Sequence, residues 1–191
     1  MTDISRDRYD DLAEICGVMA NPNRLKILVG VMRDECNVKR IQSKLGLHQA
    51  TVSRHLAIMR HARLVKARRE GLKKCYTVIS PIVRELIHAF GYTDNTDPDQ
   101  IEETCELLRA MSNTTRLRII EGLIENECNV KRIQERLGLP QSTVSQHLSV
   151  LKSARIVSPR EQGPLICYVV SHPIIRRIMS FPLNNRALSA Y

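Results

Sequence analysis

Apolar residues recur along the chain at two spacings, and each spacing predicts a different kind of element. Over residues 7–19, Leu12, Ile15, Cys16 and Met19 share one stripe of a helix. Asn21-Pro22 gives an N-cap followed by proline at the first helical position. It opens a helix through residue 33 with Leu25, Leu28 and Met32 facing one way. Asn37 caps a short helix over 38–45 that stops at Gly46. His48-Gln49 is a second polar start, opening a helix over 49–63 with Val52, Leu56 and Met59 inward. Two alternating runs follow, 64–69 and 73–79, separated by Glu70-Gly71-Leu72, which is the pattern of a β-hairpin. Pro81 begins a last helix through residue 90.

The same order then repeats. The octapeptide at 35–42 recurs at 127–134, and with that shift of 92 residues and no gaps, residues 19–84 match 111–176 at 34 of 66 positions. The unit is too long for a solenoid repeat, so the chain is read as a tandem duplication. Each copy runs helix, helix, short strand, helix, helix, hairpin, helix, which is the order of a winged helix-turn-helix. The expected class is mainly α with small β-hairpins (α+β). Its units are a first domain over 1–90, a polar linker over 91–97, a second domain over 98–180 opened by Asp97-Pro98, and a tail over 181–191.

Composition narrows the partners. Of the 191 residues, 43% are apolar and 26% charged, a globular mixture, with no Trp, two Phe and an aliphatic core. No stretch approaches the roughly 18 apolar residues of a membrane span, and residues 1–11 do not read as a secretory signal. A soluble, cytoplasmic protein without a membrane partner is expected. Lys plus Arg is 29 against 20 Asp plus Glu, a net charge of +9, which favours a polyanionic partner. That charge is uneven: residues 1–92 carry 17 basic against 9 acidic side chains (+8), and residues 93–191 carry 12 against 11 (+1). No Gly-rich phosphate loop, nucleophile–base arrangement or carboxylate pair with a pocket is present, so no enzymatic activity is expected.

Residues 21–28 (NPNRLKIL) resemble the opening of the second helix of ArsR-type (arsenic-repressor) transcription regulators, residues 49–56 (QATVSRHL) resemble that family's recognition helix, and 71–76 its wing. Residues 113–120, 141–148 and 163–168 repeat the three motifs. The resemblance implies a DNA-binding regulator, a repressor, that pairs through its first and last helices. With two copies in one chain it implies an intramolecular pseudo-dimer, and leaves further self-association open. The seven-residue linker spans at most about 23 Å, enough to join adjacent helix ends. The family's usual metal sites are missing. Asn37-Val38-Lys39 stands where the family's Cys-Val-Cys would be, and the last helix of copy one offers only Glu85 and His88.

A helix that enters the major groove needs polar side chains near its N-terminus. Gln49, Thr51, Ser53, Arg54 and His55 meet that need in copy one, and Gln141, Ser142, Thr143, Ser145, Gln146 and His147 in copy two. Arg68, Arg69, Lys73 and Lys74 would set the first wing along the phosphates. The second wing has lost most of that charge. Arg54 stands against Gln146, and Ala50 against Ser142; because Arg suits guanine and Gln suits adenine, the expected operator in double-stranded DNA is an imperfect inverted repeat with unequal halves.

Six cysteines in a reducing compartment are thiols, metal ligands or switches rather than staples. Cys36 falls in the short strand and Cys75 in the second wing strand, which pair in a winged helix; Cys128 and Cys167 repeat the arrangement. Strand spacing of about 4.8 Å is within disulfide reach, and Lys39, Arg40, Lys131 and Arg132 favour thiolate nearby. One reading is a switch in which an oxidant or reactive sulfur modifies each pair and changes DNA affinity. A second is a metal or metalloid sensor with a thiophilic ion on the same four thiols. A third takes these cysteines as small buried hydrophobes. From another class, copy two's near-neutral charge allows a winged-helix protein-interaction module without DNA binding. Cys16 and Cys105 read as core residues on the first helices.

Overall fold

The computed structural model describes residues 8–33, 38–71, 73–92, 96–125, 130–162 and 165–181. Copy one comprises α1 (Arg8–Met19), α2 (Pro22–Met32), α3 (Val38–Leu45), α4 (Gln49–His61), β1 (Val65–Glu70), β2 (Lys73–Val78) and α5 (Pro81–Ala89). Copy two comprises α6 (Pro98–Met111), α7 (Thr114–Ile124), α8 (Val130–Leu137), α9 (Gln141–Ser153), β3 (Val157–Gln162), β4 (Leu165–Val170) and α10 (Pro173–Met179). Each hairpin is an antiparallel pair in the same register, with Arg68 opposite Cys75 and Arg160 opposite Cys167. The short strands expected around Cys36 and Cys128 lie outside the described residues, as does the cap expected at Asn37.

Local chemistry starts and stops the helices where the sequence pattern places them, with two corrections. Asn21, Ser80, Asp97 and Asn113 accept hydrogen bonds from the first-turn amides of α2, α5, α6 and α7. The run expected to continue to Arg63 ends at His61, because Arg63 takes a left-handed φ of +56°. Its amide bonds back to the Arg60 carbonyl, and the Leu64 amide to that of Met59, which closes a Schellman turn. Arg155 repeats this at φ +55°, with Ile156 bonding back to Leu151. The second correction concerns α2. Met32, expected inward, is half-buried, whereas Ile27 and Val31 are buried beside Leu25 and Leu28. The helix is covered on more than one side because α1, α3, α4, β2 and α6 all pack on it.

One hydrophobic core runs through both copies. The first helices α1 and α6 pack on each other, α1 also packs on α7, and α2 packs on α6. The last helices α5 and α10 meet as well. These contacts exchange under the 92-residue shift, the pattern of a two-fold interface. Gly17 lets α1 approach the end of α6, since a Cβ there would sit 3.4 Å from the Ser112 Cβ. Polar clasps cross the seam: the Tyr9 hydroxyl donates to Glu121, and the Thr114 hydroxyl donates to Asp10 at 2.7 Å.

A left-handed backbone is costly for a residue with a Cβ and free for glycine. Arg63→Gly and Arg155→Gly are each expected to stabilise the fold by about 0.5–1 kcal/mol, and Arg63→Val to destabilise it, as measured by denaturant unfolding.

Candidate nucleic-acid interface

Within each copy the helix pair α3–α4 (α8–α9 in copy two) forms the helix-turn-helix, with Gly46 and Gly138 at φ +63° turning the chain between the helices. The N-cap residues of α4 and α9, His48 and Pro140, make no side-chain cap hydrogen bond. The first-turn amides of these two helices therefore keep their donors turned outward, as phosphate-facing helix starts do. Val52, Leu56 and Met59 anchor α4 in the core, and Val144, Leu148 and Leu151 anchor α9.

That anchoring sorts the expected contact residues. Gln49, Ser53 and Arg54 are exposed on α4, as are Gln141, Ser142, Ser145 and Gln146 on α9. Thr51, His55, Thr143 and His147 are half-buried at the edge of the same faces. On the first wing Arg68, Arg69 and Lys74 are exposed, and Lys73 opens β2 opposite Glu70. Arg68 pairs with Glu70 at 2.8 Å, and the Lys74 ammonium stands 5.7 Å from the centre of the Tyr76 ring. The second wing presents Arg160 beside Glu161, so its charge cancels.

A family model described as bacterial regulatory protein, arsR family, matches residues 21–67 and 113–158, which in each copy run from the cap of the second helix into the first wing strand. Among known relatives, the HTH-type transcriptional regulator KmtR of Mycobacterium tuberculosis is 31% identical over 93 residues, covering 49% of this chain and 72% of KmtR. The transcriptional repressor PagR of Bacillus anthracis is 36% identical over 80 residues, covering 41% of this chain and 80% of PagR. A solved structure of HlyU from Vibrio cholerae is 34% identical and covers 40% of this chain and 84% of that one, at a TM-score of 0.39. The chain belongs to the ArsR family. It is a two-copy helix-turn-helix member of a family of DNA-binding transcriptional regulators.

Two pairs of residues in this ArsR protein escape sequence reasoning. Arg24 on α2 donates through Nε to the Val18 carbonyl and through Nη2 to Gly17 at 3.4 Å. Arg116 does the same with Ala110 and, at 2.9 Å, Arg109. Each guanidinium thus satisfies the last carbonyls of a first helix and stands near the recognition-helix histidine of its own copy. Their recurrence at the 92-residue shift is the signal that could have found them. Ile58 and Val150 are the second pair, 37% and 43% exposed, each four residues beyond Arg54 or Gln146 and so on the same helix face.

The histidines carry a pH consequence. Burial, then the nearby Arg24 and Arg54, holds His55 below its ordinary 6.5; burial and Arg116 do the same for His147. The His55 Nδ1 is buried without a hydrogen-bond partner among the described residues. His172, the cap of α10, is lowered as well, chiefly by burial.

The thiols behave differently from one another. Burial lifts Cys16 to about 12 and Cys105 to about 11, so both are inert core groups. Cys75 and Cys167 are buried beneath the wings, and the Cys75 thiol donates to the Glu70 carboxylate at 3.4 Å. Their expected partners Cys36 and Cys128 lie outside the described residues. Among the described residues no three His, Cys, Asp or Glu side chains converge as a metal site. Nor is any described helix long and apolar enough to cross a membrane.

A depressed histidine contributes stability that is complete above its unfolded pKa, because only the unfolded chain takes up protons as the pH falls through 6.5. Unfolding free energy is therefore expected to drop as pH is lowered below 6.5. The double variant His55→Gln, His147→Gln should show a shallower slope in urea titrations across pH 5–7.

Proposed function

We propose that this chain binds double-stranded DNA as an intramolecular pseudo-dimer, with α4 and α9 placed in successive major grooves of an imperfect inverted repeat. The observation that carries the reading is the repeated exposed face on both helices. In each copy the anchoring positions stay apolar, with Met59 matched by Leu151, while base-facing positions diverge between Arg54 and Gln146 and between Ala50 and Ser142. Arg54 then prefers guanine and Gln146 adenine, and Ile58 and Val150 offer apolar contact to a thymine methyl. Copy one supplies most of the phosphate attraction through Arg68, Arg69, Lys73 and Lys74, in keeping with its charge of +8 (17 basic minus 9 acidic side chains over residues 1–92). The exchange of contacts between α1, α2 and α5 and their counterparts supports the pseudo-dimer. Occlusion of a promoter, and hence repression, is the simplest outcome, as the name of PagR suggests for a relative. DNA as partner and six thiols both suit a cytoplasmic setting.

For the effector we propose thiol chemistry at the wings. Cys75 and Cys167 occupy the same register in β2 and β4, behind the exposed Arg68 and Arg160, so modification there would move the wing. The Cys75 thiol donates to the Glu70 carboxylate of the neighbouring strand at 3.4 Å, so modification of the sulfur would break that contact in copy one.

Fluorescence anisotropy on the protein's own upstream DNA tests these points together. Log affinity should fall linearly with log salt, and Arg69→Ala should reduce the slope by about 1. The wild type should distinguish swapped half-sites, and Arg54→Gln should erase much of that distinction. Mild oxidation should change affinity at least tenfold, about 1.4 kcal/mol, and Cys75→Ser should diminish the change. A flat salt response would instead support a protein-interaction module. Equal affinity of reduced and oxidised protein would remove the thiol switch while leaving DNA reading intact.

A further inference from the structure

At the turn of the helix-turn-helix the two copies share a backbone and differ in chemistry. Residues 38–49 and 130–141 run from the start of α3 or α8 to the start of the recognition helix, and nine of the twelve positions are identical. The three that differ are Ser43 against Glu135, Lys44 against Arg136 and His48 against Pro140. Lys44 and Arg136 keep the charge. Ser43 and His48 both line an open cleft of about 520 Å³ between α3 and the start of α4, together with Lys39, Gln42, Gly46 and Gln49.

The backbone of this turn is the same in both copies. Gly46 and Gly138 both stand at φ +63°, and His48 and Pro140 have φ of −64° and −59°. The Leu47 and Leu139 amides bond back to the Gln42 and Gln134 carbonyls at 3.3 and 3.2 Å. Side chains therefore decide what each turn accepts. Copy one offers the Ser43 hydroxyl, the Gln42 side-chain amide, and an imidazole and a backbone N–H at His48. Groups of these kinds hold phosphates in protein–DNA complexes. In copy two a carboxylate replaces the hydroxyl, and Pro140 brings neither an imidazole nor a backbone N–H. Residues 38–61 and 130–153 together hold nine Lys or Arg and a single acidic residue, Glu135. That carboxylate is exposed on α8 at the position matching Ser43.

We propose that the copy-one cleft seats a backbone phosphate of the duplex, and that Glu135 turns the equivalent phosphate away in copy two. The inference rests on the placement of α4 and α9 in successive major grooves, which brings both turns to the DNA backbone. Carboxylate and phosphate repel one another, so copy two holds the duplex less tightly at this point. A phosphate contact carries no base information, so the difference acts alike on an operator and on any other duplex.

Fluorescence anisotropy of the full chain, on its upstream DNA and on a duplex of unrelated sequence, tests this with variants at the two exposed positions. Glu135→Ser should tighten binding to both duplexes by about threefold or more. Glu135→Gln, which removes the charge and keeps the shape, should do the same, and Ser43→Glu should weaken binding by about the same factor. Each change should be largest near about 50 mM salt and shrink toward about 200 mM, because salt screens repulsion and leaves packing alone. Thermal melting checks that each variant is folded. Salt-sensitive wild-type binding together with wild-type affinity in folded Glu135→Ser and Glu135→Gln, or in folded Ser43→Glu, overturns the inference and leaves DNA reading intact. A gain in Glu135→Ser that Glu135→Gln lacks, or changes that salt does not alter, also overturns it, since shape would then decide rather than charge. A wild type that binds neither duplex overturns the DNA reading, and this inference with it.

Discussion

Burial of α1 against α6 is the constraint on which the rest of the molecule depends. Leu12, Ile15, Cys16 and Met19 of the first helix are buried, and so are Ile101, Cys105, Leu107, Leu108 and Met111 of the sixth. Neither copy alone has enough surface to cover these groups, and each fully buried Leu or Ile contributes about 1.5–3 kcal/mol relative to exposure. The seam then sets the position of everything outside it. Arg24 and Arg116 hang on the carbonyl ends of the two central helices and stand beside His55 and His147, so the recognition helices are referenced to the seam rather than to their own copies alone.

Covalent duplication frees the two halves to diverge while the helix pairing across the seam is kept. The anchoring residues of α4 and α9 match in chemistry, yet the groups between them differ, as do the two wings. The same freedom shows at the seam itself, where Tyr9 donates to Glu121 and the matching positions hold Ile101 and Val29. A homodimer could not hold such differences, because any change would appear on both sides.

Much of this was legible in the sequence. The helix starts followed from Asn21-Pro22, Pro81 and Asp97-Pro98, whose chemistry is local, and the structure adds Ser80 as the cap before Pro81. The first hairpin followed from alternation around Gly71, although Glu70, read as part of the turn, lies in the strand opposite Lys73. What periodicity missed is what depends on the other copy: Ala13 is buried beside the predicted stripe of α1 because neighbouring helices cover more than one of its faces. The early stops at Arg63 and Arg155 escaped because an arginine carries no sign of a left-handed backbone. For the candidate contact face, the exposure of Gln49, Arg54, Gln141 and Gln146 agrees with their motif position, whereas the half-burial of His55 and His147 required the packing of α2 and α7.

The central claim is that one chain carries both reading heads for one operator. Hydroxyl-radical footprinting on the upstream DNA, combined with sedimentation of the complex, tests that claim most directly. The account predicts protection on one face of the duplex at two places about 10 base pairs apart, with a single chain bound, and deeper protection on the half contacted by copy one. Protection of a single groove, or two chains on each operator at saturation, would contradict it.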